Sequence, residues 1–233
     1  MRRVVAHVFV VDLARPVLAE KDLHHLSRVL RLRPGEAVVA SDGRGGTRLC
    51  QWAGTALLSA VAEAAFDPAP APLLTVAFAL TKGDHPELAV QKLTEAGADR
   101  LVVMTTERSV VRWASAAAPR QVDRLREVAR QAAMQSRRSW LPAVEGPAAF
   151  SAVVAGAGAS GLALAVPGGA PPTLETPTVL IGPEGGWTDA ELAAVPLHVG
   201  LGPHVLRAET AAVAAGVLLA ALRAGLVAPW PRT

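Results

Sequence analysis

Three short segments in the C-terminal half of the chain carry the residue types from which a ligand cradle is built. They are Ala165-Val166-Pro167-Gly168-Gly169, Ile181-Gly182-Pro183-Glu184-Gly185-Gly186 and Leu201-Gly202-Pro203-His204-Val205-Leu206-Arg207-Ala208-Glu209-Thr210. Each follows a short apolar run that reads as a strand, and each supplies glycine or proline where that strand should end. Glycine admits conformations and close approaches that a Cβ would block, and proline stiffens a turn. Ligands of open α/β sheets collect at such carboxyl-end loops, so three of them after successive strands point to one shared pocket. The middle segment is the most fully specified. The β-branched run Thr178 to Ile181 leads into it, Thr188 and Glu191 have the spacing of a capping box, and Trp187 and Leu192 that of a hydrophobic staple. No G-x-G-x-x-G opens a helix after the first strand and no G-x-x-x-x-G-K-[ST] occurs, which argues against a nicotinamide cofactor or a nucleoside triphosphate.

The elements that must position these loops follow from periodicity. From Leu73 onward, apolar strands alternate with helices: strands at Leu73 to Leu80, Arg100 to Met104, Leu162 to Val166, Thr178 to Ile181 and His198 to Leu201. Helices are expected from about Pro86 to Ala96, from about Pro119 to Met134 and from about Ala208 to Arg223. This is βαβ organisation. The last helix is rich in alanine and contains Gly216, which makes it thin enough to pack closely on a sheet or a second subunit. Upstream, short apolar runs at Ala6 to Val11, Ala37 to Ala40 and Gly54 to Val61 are separated by turn signals and predict a small β-rich domain, a barrel. Between them, Leu23, Leu26 and Leu30 fall at helical spacing over Glu20 to Arg31, leaving Arg28 and Arg31 on neighbouring faces. Phe66-Asp67-Pro68-Ala69-Pro70-Ala71-Pro72 has prolines at alternate positions and marks the boundary between domains at 1–70 and 73–233.

Composition limits the possible classes. The chain has 233 residues, 51% of them hydrophobic, enough for a substantial core. It lacks an uninterrupted apolar stretch of about 18 residues, and no apolar signal-peptide core follows Arg2 and Arg3, so a soluble, cytoplasmic protein is expected, with no membrane partner. A single cysteine, Cys50, excludes an internal disulfide and a cysteine cluster for zinc. His24 and His25 lack a carboxylate or cysteine at ligand spacing, and no metal is expected. The net charge is only +3, yet residues 1–50 hold nine Lys and Arg against five Asp and Glu, so the positive excess sits at the N-terminal end and suits a polyanion there.

The segments Ile181 to Gly186 with Glu191, and Leu201 to Ala212, closely resemble the signature of the RsmE family. Its members are bacterial small-subunit (16S) ribosomal RNA uridine-N3 methyltransferases of the SPOUT superfamily. His25-Leu26-Ser27-Arg28-Val29-Leu30-Arg31 with Gly35, Lys82-Gly83-Asp84 with Gln91 to Gly97, Glu107-Arg108-Ser109 and Gln135-Ser136-Arg137-Arg138 continue the resemblance in order along almost the whole chain. Met134, Trp140 and His204 depart from the residues the family often has at those places. The resemblance implies an α/β protein with an N-terminal PUA-like β-barrel, then a SPOUT domain whose C-terminal part forms a deep trefoil knot, in a homodimer. General topology rules argue against threading, so the knot rests on the resemblance alone.

The resemblance also implies S-adenosylmethionine as cofactor. It would be held by Leu164, Val166 and Pro167 of the first loop, Ile181, Gly182, Pro183, Glu184, Gly185 and Gly186 of the second, and Leu201, Gly202, Val205, Leu206, Arg207 and Thr210 of the third. Glu184 would bond the ribose hydroxyls or brace the loop. Methylation at uridine N3 requires orientation and loss of the N3 proton. Arg207 would stabilise charge on the uracil oxygens, and Glu209 would orient Arg207 or accept the proton. For capture of 16S rRNA, expected within the 30S subunit, the expected phosphate-facing set is Arg2, Arg3, Arg28, Arg31, Lys82, Arg108, Arg112, Arg137 and Arg138. Two alternatives share much of this pattern: another SPOUT RNA methyltransferase acting on the ribose 2′-oxygen, and a non-catalytic RNA-binding ribosome-assembly factor.

Overall fold

The computed structural model describes residues 4–81, 85–157 and 161–228. Arg2, Arg3 and Lys82 of the expected RNA set lie outside the described residues. The chain divides into two units, Met1–Ala69 with Arg130–Leu141, and Pro70–Ala129 with Pro142–Thr233. Residues 130–141, assigned by sequence to the second domain, thus cluster with the first.

In the first unit, β1 (Val4–Phe9), β2 (Ala37–Ser41), β3 (Gly46–Gln51) and β4 (Ser59–Phe66) form a sheet in that order. β1 and β2 are parallel, which requires a crossover, and α1 (Glu20–His24) with the π-helical segment His25–Val29 lies within it. Val8, Leu26, Val38, Ala40, Cys50 and Trp52 fill the core. Burial pushes the Cys50 thiol up, the state of an inert packed cysteine.

Two sequence expectations change here. The run Gly54 to Val61 is a turn followed by a strand that begins at Ser59 and reaches Phe66, because Gly54 adopts φ 80° and cannot continue a ladder as other residues do. The single helix over Glu20 to Arg31 is instead α-helical, then π-helical, and Arg31 leaves it at φ 52°. The wider winding shifts the register of the apolar face, so Leu30 is exposed and Leu32 takes the buried place.

The second unit holds an all-parallel sheet of order β10-β8-β9-β5-β6-β7. Its elements are β5 (Thr75–Ala79), α2 (His85–Ala96), β6 (Arg100–Thr105), α3 (Ala118–Ser136), β7 (Ala143–Ala149), α4 (Phe150–Ala157), β8 (Leu162–Ala170), β9 (Thr178–Ile181), α5 (Asp189–Ala194), β10 (His198–Val199) and α6 (Ala208–Arg223). Helix α3 runs on from this unit into the residues counted with the first. Strand alternation divides the core in two. Val76, Phe78, Val179 and Ile181 face a cluster with Leu93 of α2 and Ala212, Ala215 and Leu219 of α6, whereas Ala77, Val102, Leu164 and Leu180 face Val153 of α4 and Trp187. A Cβ on Gly216 would stand 2.4 Å from Leu93 Cδ2, so the glycine sets the approach of α6 to α2.

Between the expected helix ending at about Met134 and the expected strand at Leu162, the structure adds β7 and α4. Pro147 is tolerated because β7 is the sheet's edge strand and its register shifts at that point. β8 also outruns its expected end at Val166: it continues through Pro167 and the left-handed Gly168 to Ala170, with a register shift against β10. Gly169 and Gly200 make this possible, since a Cβ on either would fall within 2.6 Å of the other strand's backbone. Among the described residues no helix is long and apolar enough to cross a membrane.

Candidate functional site

Three segments gather at the carboxyl ends of β8, β9 and β10 around a cavity of about 400 Å³. Ala165, Val166 and Pro167 form one wall, Ile181 to Glu184 with Gly186 and Trp187 a second, and Leu201, Gly202 and His204 to Ala208 with Ala211 a third. The volume lies within the range of about 300–1,000 Å³ usual for small-molecule sites.

Local chemistry fixes the middle wall. After β9, Gly186 adopts φ 70° and donates its N–H to the Pro183 carbonyl at 2.9 Å, closing a tight turn. The Trp187 indole lies under this turn: a Cβ on Gly182 would stand 3.0 Å from its Cε2, and Trp187 Nε1 donates to the Ala165 carbonyl at 3.0 Å. One side chain therefore ties the second wall to the first. The capping box is complete, with Glu191 N donating to Thr188 Oγ1 at 3.3 Å and Thr188 N to Glu191 Oε2 at 3.0 Å. Glu191 is buried, and its other oxygen accepts from Glu107 N at 3.0 Å, so one carboxylate joins the start of α5 to the segment after β6. From that segment, Arg108 Nη1 donates to the Gly185 carbonyl at 3.0 Å.

The third wall ends at Arg207, the residue preceding α6. It is extended (φ −64°, ψ 155°), exposed, and makes no side-chain cap. Its guanidinium has no hydrogen bond or ion pair among the described residues, so its charge is available to a ligand. Glu209 does not line the cavity. Its Oε1 lies 3.2 Å from Nδ1 of His85 at the start of α2, close enough for an ion pair with a protonated imidazole but without hydrogen-bond geometry.

The structure brings most of the sequence-predicted cofactor residues together: Val166, Pro167, Ile181, Gly182, Pro183, Glu184, Gly186, Leu201, Gly202, Val205, Leu206 and Arg207 all line the cavity. Leu164, Gly185 and Thr210 do not. Leu164 is completely buried in the sheet core, Gly185 turns towards Arg108, and Thr210 is exposed on α6. Ala165, His204 and Ala208, which belong to the cradle segments but not to the expected cofactor set, also line it, and Trp187 and Ala211 join from outside those segments. The spacing of Ala208 and Ala211, one turn apart at the helix start, was the available signal for those two. Of the expected RNA set, Arg28, Arg31, Arg108, Arg112 and Arg137 are exposed and Arg138 is half-buried. Among the described residues no group of three His, Cys, Asp or Glu could hold a metal ion.

The cavity suits a small molecule with a planar apolar part: Ile181, Leu201 and Leu206 offer it apolar surface, and the glycine-bearing turns border it. Comparisons agree with this. Residues 68–220 match the family model described as an RNA methyltransferase domain, and residues 18–52 match an RNA methyltransferase PUA domain. The chain is 35% identical to the ribosomal RNA small subunit methyltransferase E of Mycobacterium bovis, over 91% of this chain and 90% of that protein. It has the fold of a putative methyltransferase from Legionella pneumophila solved with bound S-adenosylmethionine (TM-score 0.80, 24% identity, 94% of this chain and 98% of that one). It has likewise the fold of the ribosomal RNA small subunit methyltransferase E of Neisseria gonorrhoeae bound to the same cofactor (TM-score 0.77, 23% identity, 91% and 94%).

Proposed function

The chain belongs to the ribosomal RNA small subunit methyltransferase E family, and from that premise we infer that it transfers the methyl group of S-adenosylmethionine to N3 of a uridine in 16S ribosomal RNA. The observation that carries this reading is the three-walled cavity at the carboxyl ends of β8, β9 and β10, with an uncommitted arginine at its rim.

The cofactor supplies an electrophilic methyl on a sulfonium sulfur. The rest falls to the chain. Bond formation at N3 must accompany loss of the N3 proton to solvent water, and negative charge spreads onto O2 and O4 of the uracil as that proton leaves. Arg207 is placed to stabilise that charge. Glu209 acts through its contact with His85, positioning the first turn of α6 and so the backbone that carries Arg207. The Trp187 bond to Ala165 and the Glu191 bridge hold the cofactor walls in place before substrate arrives. Arg28, Arg31, Arg108, Arg112, Arg137 and Arg138 are the phosphate contacts.

Family membership supports the finer architecture as well: a PUA-like barrel at 1–70, and at 73–233 a SPOUT domain with a deep trefoil knot that pairs into a homodimer. The matched PUA segment supports the first. The order β10-β8-β9-β5, with α6 packed back on β5 and β9, supports the second. The protein then acts in the cytoplasm, on RNA or on the assembling 30S subunit.

The test is incubation of purified protein with labelled cofactor and either 30S subunits or naked small-subunit RNA, followed by mass spectrometry of the nucleosides. N3-methyluridine is expected. A ribose-methylated product would transfer the assignment to a 2′-O enzyme. Absence of cofactor affinity by calorimetry would leave a non-catalytic RNA-binding factor.

A further inference from the structure

Helices that close with a residue in the left-handed conformation ordinarily place glycine there, because a Cβ crowds the following carbonyl. The second unit obeys this. α2 closes at Gly97 (φ 105°), with Ala98 N donating to Leu93 O at 3.0 Å, and α6 closes at Gly225 (φ 67°), with Leu226 N donating to Ala221 O at 2.9 Å.

The helix ends counted with the first unit make the same turns with arginine. α3 closes with Arg138 N donating to Ala133 O at 2.9 Å, and the left-handed residue is Arg137 at φ 59°. The π-helical segment closes with Leu32 N donating to Leu26 O at 3.0 Å, a turn widened by one residue, and the left-handed residue is Arg31. Among the described residues these are the only two non-glycine residues with positive φ.

Packing does not explain the choice, since both side chains are exposed. Among the described residues the Arg31 side chain has no hydrogen bond or ion pair, and the Arg137 side chain gives one hydrogen bond, from Nη2 to the Val4 carbonyl at 3.1 Å. Nor does the helix dipole explain Arg31, because Arg28 already places a cation in that last turn from within the helix. What surrounds Arg31 suits an anion: Arg28 and Arg33 flank it, no acidic residue lies between Asp22 and Glu36, and the Glu36 carboxylate is engaged by Arg33 N at 2.6 Å. Val29 and Leu30 stand exposed beside it, apolar surface on which an unpaired base can rest.

We propose that Arg31 and Arg137 are the phosphate anchors of the first unit, held in left-handed backbone so that each side chain leaves the chain at Cβ in a direction that a right-handed residue could not give, from which its guanidinium reaches the RNA backbone. Local stability is given up for that direction. The proposal rests on the ribosomal RNA reading and ranks these two above the other arginines of the set.

The experiment compares Arg31→Gly, Arg137→Gly, Arg31→Lys and the surface control Arg15→Ala. Each is measured by thermal melting and by anisotropy titration of a labelled small-subunit ribosomal RNA transcript over a series of salt concentrations. Arg31→Gly should melt several degrees higher than the unaltered protein, yet bind RNA about tenfold more weakly, with the salt slope reduced by about 0.7 for the lost contact. Arg137→Gly should weaken binding similarly, with a smaller gain in melting temperature because the Val4 bond is lost. Arg31→Lys should retain the salt slope and show no gain in melting temperature. Unchanged RNA affinity in Arg31→Gly, or a lower melting temperature, would overturn the anchors while leaving the enzyme reading intact. A lack of salt-dependent RNA binding by the unaltered protein would overturn both.

Discussion

Helix α6 is bounded by two arginines with opposite fates. Arg223, in its last turn, forms an ion pair with the buried Asp99, donates from Nη1 to the Pro72 carbonyl at 3.1 Å and from Nη2 to the Gly97 carbonyl at 2.8 Å. Asp99 in turn accepts from Leu74 N at 2.9 Å, so one cluster fastens the end of α6 to the entry of β5 and the exit of α2. Arg207, just before the first turn, has no such partners among the described residues and stands at the rim of the cavity. Two copies of one side chain are thus separated by what consumes their charge. At one end backbone and carboxylate use it up, and at the other it is left for a ligand. The difference teaches where to look for function in a helix whose own sequence is almost featureless alanine, valine and leucine.

The contrast is broken most directly at the closed end. Asp99→Ala strands a half-buried guanidinium and should lower stability by about 3–5 kcal/mol, read as a shift in the urea midpoint. An unshifted midpoint would mean that the cluster does not hold the helix. At the open end, Arg207→Ala should reduce kcat by about 10²–10³-fold with an unchanged melting temperature. Equal losses in stability at both ends would erase the distinction.

Acid sharpens the comparison by a route through neither end. His7 in β1 is buried with neither ring nitrogen hydrogen-bonded among the described residues, and burial first, then the charge of Arg137, lower its pKa from 6.5 to about 4. The folded imidazole stays neutral where the unfolded one binds a proton, so stability falls as pH drops from 6.5 towards 4, by roughly 3 kcal/mol once below both values. Arginine keeps its charge over that range. His7→Leu should therefore flatten this part of the stability profile, and a profile as steep as before would assign the loss to other groups. The smallest effect is expected from Trp187→Phe, which keeps an aromatic ring, smaller than the indole, and removes the bond to Ala165. Cofactor affinity should fall about tenfold, a loss of one buried hydrogen bond, measured by calorimetry, with the fold retained.

Much of this was legible in the sequence where local physics is strong. Thr188 and Glu191 predicted the start of α5 and the short β-branched run predicted β9, while the close packing expected of the Gly216 helix on a sheet or a second subunit is made at that glycine with Leu93 of α2. The cavity walls were legible for the same reason, since glycine and proline announce turns. Where tertiary context decided, the signal failed. β7 carries Gly146 and Pro147, which local rules exclude from a strand, and only its place at the sheet edge admits them. Leu164 reads like a pocket-lining apolar residue of equal standing with Ile181, yet strand alternation sends it to the opposite face. Glu209 read as a partner for Arg207, and nothing local could reveal His85 from a distant helix.

The Glu191 bridge has a kinetic corollary. One buried carboxylate accepts both Thr188 N and Glu107 N, amides far apart in the chain. Neither can be released by rotating that side chain without freeing the other, so their protons should exchange with solvent in a single opening event, and the segment after β6 should fray only when the first turn of α5 does. A short helix of six residues would then act as the latch whose opening rate limits how fast the cavity wall can rearrange.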